Sequence, residues 1–240
     1  MKKMTLRHYV LAGLLGALIA ALGFTPLGMV PVPTPAGAAT ILHVPVIIAA
    51  LLEGPVFGAM VGFLFGAVSF WRAIVAPSNP VAQVMFTDPV TAFVPRILIG
   101  IVAFYAFRAA RDERWRRVIC ALCGLLAWDL SYRVILNAGW VQVHPINYLY
   151  FFPAAAAVTY FLFRLLSGEK APVIAGALAG SLTNTVGVLG MVTLRGILPP
   201  TASAVVAVVH GLPEAAVAVL LTLMLYNALK GRTSTTGRRE

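Results

Sequence analysis

The chain has 240 residues, 60% of them apolar and 11% charged, with a mean hydropathy of +0.90. Soluble domains are about 45–50% apolar and roughly 25% charged, so a water-soluble globule is excluded. The formal charge of +10 could suit a nucleic-acid partner, but in a membrane protein Lys and Arg collect in cytoplasmic loops, and that reading excludes nucleic acid here.

Eight apolar segments follow one another, at 9–27, 38–52, 55–75, 90–108, 117–138, 147–166, 172–195 and 203–229. Inside lipid only helices and closed barrels satisfy their own backbone. These runs are continuous rather than alternating, so the expected fold is all-α, a polytopic transmembrane helical bundle. Residues 1–229 form one transmembrane domain and 230–240 a polar, disordered cytoplasmic tail. The start, MKKMTLRH before an apolar run, reads as a retained first helix with its basic end inside rather than a cleaved leader.

The second segment is short. Pro45 biases Val44 away from helix, so regular helix is expected from Pro45 and irregular chain over 34–43. Irregular chain at membrane depth must be buried or line a cavity. The loops 28–37 and 76–89 are long enough to form ordered lids.

Orientation follows from the basic residues. With the first end inside, 14 of the 18 Lys and Arg fall on one side: Lys2, Lys3, Arg7, Arg108, Arg111, Arg114, Arg116, Arg117, Arg164, Lys170, Lys230, Arg232, Arg238 and Arg239. Such separation supports eight spans with both termini cytoplasmic.

Polar residues inside the spans then gather in the outer half. His43, Trp71, Arg72, Arg96, Asn184, His210 and Glu214 come from five segments. Arg96 lies about 9 Å below the start of its segment. Intramembrane ionisable residues are costly and face a pocket or a partner. A pocket with Arg96 in it suits a carboxylate or phosphate. Pairing of Arg96 with Glu214 to hold helices together is the structural alternative. Asp129 and Arg133, spaced i, i+4, read as a local pair. The stripes Gly58/Gly62/Gly66, Gly13/Ala17/Ala21 and Gly176/Gly180 let helices approach closely.

Several chemistries lack their residues. There is no phosphate-binding G-x-x-x-x-G-K-[ST], no H-E-x-x-H, no carboxylate cluster for a metal and no nucleophile motif. Cys120 and Cys123, alone in an apolar helix, read as packing residues. Neither a cofactor nor a metal is expected, and the chain is not read as an enzyme. From these residues alone, a solute-binding subunit, a self-sufficient secondary transporter of a small solute, a membrane scaffold and an enzyme of lipid-linked substrates all remain open.

Four blocks carry a resemblance. TILHVPVIIAALLEGPVFGAMVGFLFGAVSF from Thr40, FVPRILIGIVAFYAF from Phe93, GSLTNTVGVLG from Gly180 and HGLPEAAVAVLLT from His210 resemble, in order and spacing, the S components of energy-coupling factor (ECF) transporters. Among these the chain is most similar to the pantothenate type. The resemblance implies a six-helix core in a prokaryotic plasma membrane that binds a vitamin from outside. It implies as partners a transmembrane coupling subunit and two ATPase subunits, beside the membrane lipid. Ala17 and Ala21 match the alanine spacing by which the family's first helix meets the coupling subunit. The implied substrate site comprises His43, Trp71, Asn79, Arg96, Asn184, His210 and Glu214. Two departures stand out. Residues 117–166 read as an inserted two-helix hairpin, and His210-Gly211 stands where the family's last block often begins Asn-Gly.

Overall fold

The computed structural model describes residues 6–31, 38–121, 125 and 152–236. Helices dominate: α1 (Leu6–Gly23), α2 (His43–Glu53), α3 (Pro55–Val75), α4 (Pro80–Thr87), α5 (Pro89–Ala109), α6 (described part 113–121), α7 (Phe152–Leu165), α8 (Ala171–Leu194) and α9 (Pro200–Thr236). Four of them, α3, α5, α8 and α9 to Leu229, are long and apolar enough to cross a membrane. The one ladder among the described residues joins β1 (Met29–Pro31) to β2 (Ala38–Thr40), antiparallel, with Met29 opposite Thr40.

The chain divides into two compact units, one of residues up to Phe107 and from Val173 onward, the other Arg108–Pro172. In the first unit six helices contribute to one apolar core. Ile19 of α1, Ile47 of α2, Phe65 of α3, Ile99 of α5, Val173 of α8 and Tyr226 of α9 are all buried in it. The outward face of α9 stays apolar, with Val205, Leu212, Leu220 and Met224 exposed. A face that is apolar without being packed suits hydrocarbon rather than water.

Small residues set the spacing of this core. A Cβ on Gly62 would land on the carbonyl oxygen of Arg96. One on Gly58 would stand 3.0 Å from Gly100 Cα, and one on Gly66 would stand 2.8 Å from Phe93 Cδ1. The expected stripe on α3 therefore lies directly on the backbone of α5. Gly176 and Gly180 bring α8 equally close to Ala103 and Ile47. Between α2 and α3 the reversal needs Gly54, whose φ of 104° suits glycine, followed by Pro55 at a helix start where no amide is required.

Three local expectations change. α2 begins at His43, two residues before Pro45, because a proline in the first turn interrupts no helical hydrogen bond. Its 11 residues still rise only about 16 Å. The loop after α3 contains α4: the Asn79 side chain accepts the Ala82 amide at 2.7 Å and Pro80 opens the helix. α9 continues through Thr236, so the first residues of the expected disordered tail extend the helix. Asp129, Arg133, Cys123, most of the segment expected over 117–138 and the first five residues of that expected over 147–166 lie outside the described residues.

Candidate functional site

A proline explains where Arg96 points. Thr91 should pass its carbonyl to the amide of residue 95, but Pro95 has none. The Arg96 guanidinium supplies that bond, Nη1 donating to Thr91 O at 2.7 Å. The side chain thus turns back along α5 toward the end of the helix where α4 lies. Arg96 is buried, with its guanidinium carbon 5.3 Å from the Phe65 ring centre and 4.8 Å from that of Phe86. A cation over the faces of two rings is attracted by both. Nε of Arg96 meets no hydrogen-bond partner among the described residues.

Arg96, Phe86 and Thr40 stand between two lobes of a cavity. The first encloses about 520 Å³ including its open mouth and is lined by Phe65, Ser69, Arg72, Ser78 and Ala82. The second, about 430 Å³ on the same measure, is lined by Met85, Asn184, Thr185, Val188, His210 and Glu214. The first lobe carries two arginines and no acid; the second carries the acid and the amide.

Glu214 follows Pro213 in α9 as Arg96 follows Pro95 in α5. Its Oε1 accepts the Thr40 amide at 2.5 Å, and its Oε2 lies 3.4 Å from Thr185 Oγ1. That bond fastens β2 to α9. No ion pair within 4.0 Å joins Glu214 to Arg96, and the ion pairs among the described side chains lie elsewhere, His8 with Glu53 and Arg195 with Asp88.

The seven expected site residues divide accordingly. Arg96, Asn184, His210 and Glu214 line the cavity. His43 is fully buried, and neither of its ring nitrogens nor Asn184 Oδ1 meets the geometry of a hydrogen bond among the described residues. Ile47, one turn below His43, packs on Gly180, one turn below Asn184, which sets the two polar residues at one level. Trp71 is 58% exposed and outside the lining, while its neighbour Arg72 is in it. Asn79 caps α4 and is not in the lining. Sequence reasoning missed Phe65, Phe86 and Thr185. The first two were hidden among 13 phenylalanines, and Phe86 sits in the loop 76–89, which was read as a lid and not as a helix.

The segment bearing Phe86 is pinned at its far end. Asp88 Oδ2 accepts from the Thr91 amide at 3.0 Å and the Thr91 hydroxyl at 2.6 Å, and Asp88 Oδ1 lies 3.4 Å from Arg195 Nη2. The Thr91 hydroxyl does most to hold the Asp88 carboxyl below the usual carboxylate range. Met85 packs into a small core with Val188, Val192 and Leu198. Of the candidate coupling residues, Ala17 and Ala21 are both exposed along α1. No group of three or more metal-ligating side chains occurs among the described residues.

Apolar helices with a lipid-suited surface around a polar cavity define a multi-pass membrane protein with a site for a small solute. The chain belongs to the substrate-specific components of ECF transporters, whose family model matches residues 2–226. It is thus a transporter subunit and not an enzyme. It is similar to the pantothenate transporter PanT of Leuconostoc mesenteroides subsp. mesenteroides, 42% identical over 104 residues, which cover 43% of this chain and 47% of that one. It is also similar to the pantothenic acid transporter PanT of Lactococcus lactis subsp. cremoris, 33% identical over 86 residues, covering 31% and 44% of the two chains. The matches thus span just under half the length of each of these relatives.

Proposed function

We propose that this subunit captures pantothenate from outside a prokaryotic cell and hands it to an ATP-driven ECF assembly. The observation that carries the reading is Arg96: a buried guanidinium beside two phenyl rings that lines both lobes of the cavity, with no carboxylate among the described residues within ion-pair distance. An anionic group on the solute would complete its fork. Pantothenate has one carboxylate, an amide and two hydroxyls. Its carboxylate would lie toward Arg96 and Arg72, and its amide and hydroxyls toward Asn184, His210 and Glu214. His43 would back the site from α2. The names of the two relatives favour the same solute.

The core would be the six helices α1, α2, α3, α5, α8 and α9, with 117–166 an inserted helical hairpin. The separate compact unit Arg108–Pro172 supports that division. Both termini would be cytoplasmic and the cavity would open outward, between the β1–β2 hairpin and α4. The coupling subunit would meet α1 at Ala17 and Ala21, whose exposure leaves them accessible to a partner helix. Two ATPase subunits would complete the transporter.

Isothermal titration of the purified protein tests the reading. Saturable one-to-one binding of pantothenate is expected. Folded protein that binds another vitamin and not pantothenate would overturn the substrate. Trp71→Ala is expected to change the affinity less than about threefold, because a side chain 58% exposed and outside the lining carries little binding energy. A loss above tenfold in the same titration would bring Trp71 into the site.

A further inference from the structure

Away from the cavity, the densest charge lies in the unit Arg108–Pro172. The ten residues 108–117, RAARDERWRR, hold five arginines against two acids. Arg111, Arg114 and Arg117 are exposed, and Trp115 among them is 56% exposed. Asp112 is partly spent locally, its Oδ1 accepting the Arg114 amide at 2.8 Å. Arg116 ties this stretch to the end of α7: its Nη1 donates to Leu166 O at 3.3 Å, while its Nε is enclosed with no partner among the described residues. Leu166 stands between Arg164 and Lys170, both exposed. The bond therefore gathers basic residues from α6 and from the turn after α7 at one end of the unit.

We propose that this rim is a headgroup site for anionic phospholipid. The reading does not depend on the solute that fills the cavity. Lys and Arg clusters beside a membrane-spanning helix attract acidic headgroups, each basic residue adding about a fivefold preference. An exposed indole suits the headgroup level, where one edge is apolar and the other wet. The exposed Arg114 and Arg117 offer a phosphate several N–H donors, and guanidinium groups match phosphate oxygens in pairs. General charge segregation would account for the sign of the cluster. It would not place an exposed Trp115 among the arginines or lock Arg116 against α7.

The test uses the full-length protein in neutral detergent, titrated with short-chain phosphatidylglycerol or phosphatidylcholine. The melting midpoint and the lipid retained in native mass spectrometry are read. Phosphatidylglycerol is expected to raise the midpoint and to be retained at least tenfold more than phosphatidylcholine. Arg114→Gln with Arg117→Gln, which leaves the Arg116–Leu166 bond intact, should cut that preference at least fivefold and leave pantothenate affinity within twofold. Equal retention of the two lipids by the unaltered protein would overturn the proposal, as would a double variant that keeps its preference. Inorganic phosphate that reproduces the whole shift would assign the rim to a soluble anion instead. Loss of ATPase-module assembly in the double variant with lipid preference unchanged would assign it to a protein partner.

Discussion

Arg96→Ala should weaken pantothenate binding at least thirtyfold in isothermal titration, with a melting midpoint close to that of the unaltered protein. Truncating one member of a buried, hydrogen-bonded charge pair costs about 2 kcal/mol or more, which corresponds to roughly thirtyfold in affinity. The cost is large here because Arg96 is 3% exposed, so water screens its charge little. Arg96→Lys separates charge from geometry. Lysine keeps the charge, but it cannot span the Thr91 carbonyl and a substrate carboxylate with a planar fork. Its expected loss is about tenfold, intermediate between arginine and alanine. If Arg96→Ala instead left affinity unchanged and lowered the melting midpoint, the guanidinium would serve only to satisfy the Thr91 carbonyl. The two readings thus differ in which quantity moves.

What the sequence disclosed follows from what each residue depends on. Spans 55–75 and 90–108 were legible almost to the residue, because an apolar run between Gly54-Pro55 and Ala76, or after Asp88-Pro89, has few other ways to satisfy its backbone. Polar groups in such runs were legible as residues that must face a pocket or a partner, and Arg96, Asn184, His210 and Glu214 line one cavity. Trp71 and Arg72 could not be told apart, since adjacent helical positions differ by about 100° and only packing decides which faces inward. Asn79 carried a second signal that was not read. Asn followed by Pro is a helix start, and α4 with its Phe86 follows from it. The Pro95-Arg96 and Pro213-Glu214 pairs were a further signal. A proline leaves a carbonyl one turn back without its donor, and for Arg96 that carbonyl fixes the direction of the charge.

Gly62→Val is expected to abolish measurable pantothenate binding and to lower the melting midpoint, although residue 62 lines neither lobe of the cavity. The reason is contact with the backbone that carries Arg96. A Cβ at position 62 would meet the Arg96 carbonyl oxygen, with the Arg96 carbonyl carbon at 2.9 Å and Ile97 Cα at 3.1 Å. These are main-chain atoms of a helix, so no rotamer change relieves the clash, and α3 and α5 must move apart. Overpacking of a close-packed interior costs about 1–3 kcal/mol, and more where backbone must shift. The separation would draw Arg96 away from Phe65, which stands one turn along α3 from Gly62. Gly190→Ala serves as the contrast. Gly190 is an exposed helical glycine of α8 with nothing within 4 Å of its Cβ position. Alanine there should leave binding unchanged and stabilise the helix by up to about 1 kcal/mol. Should Gly62→Val bind pantothenate as tightly as Gly190→Ala, the close approach of α3 to α5 would not be what places the guanidinium.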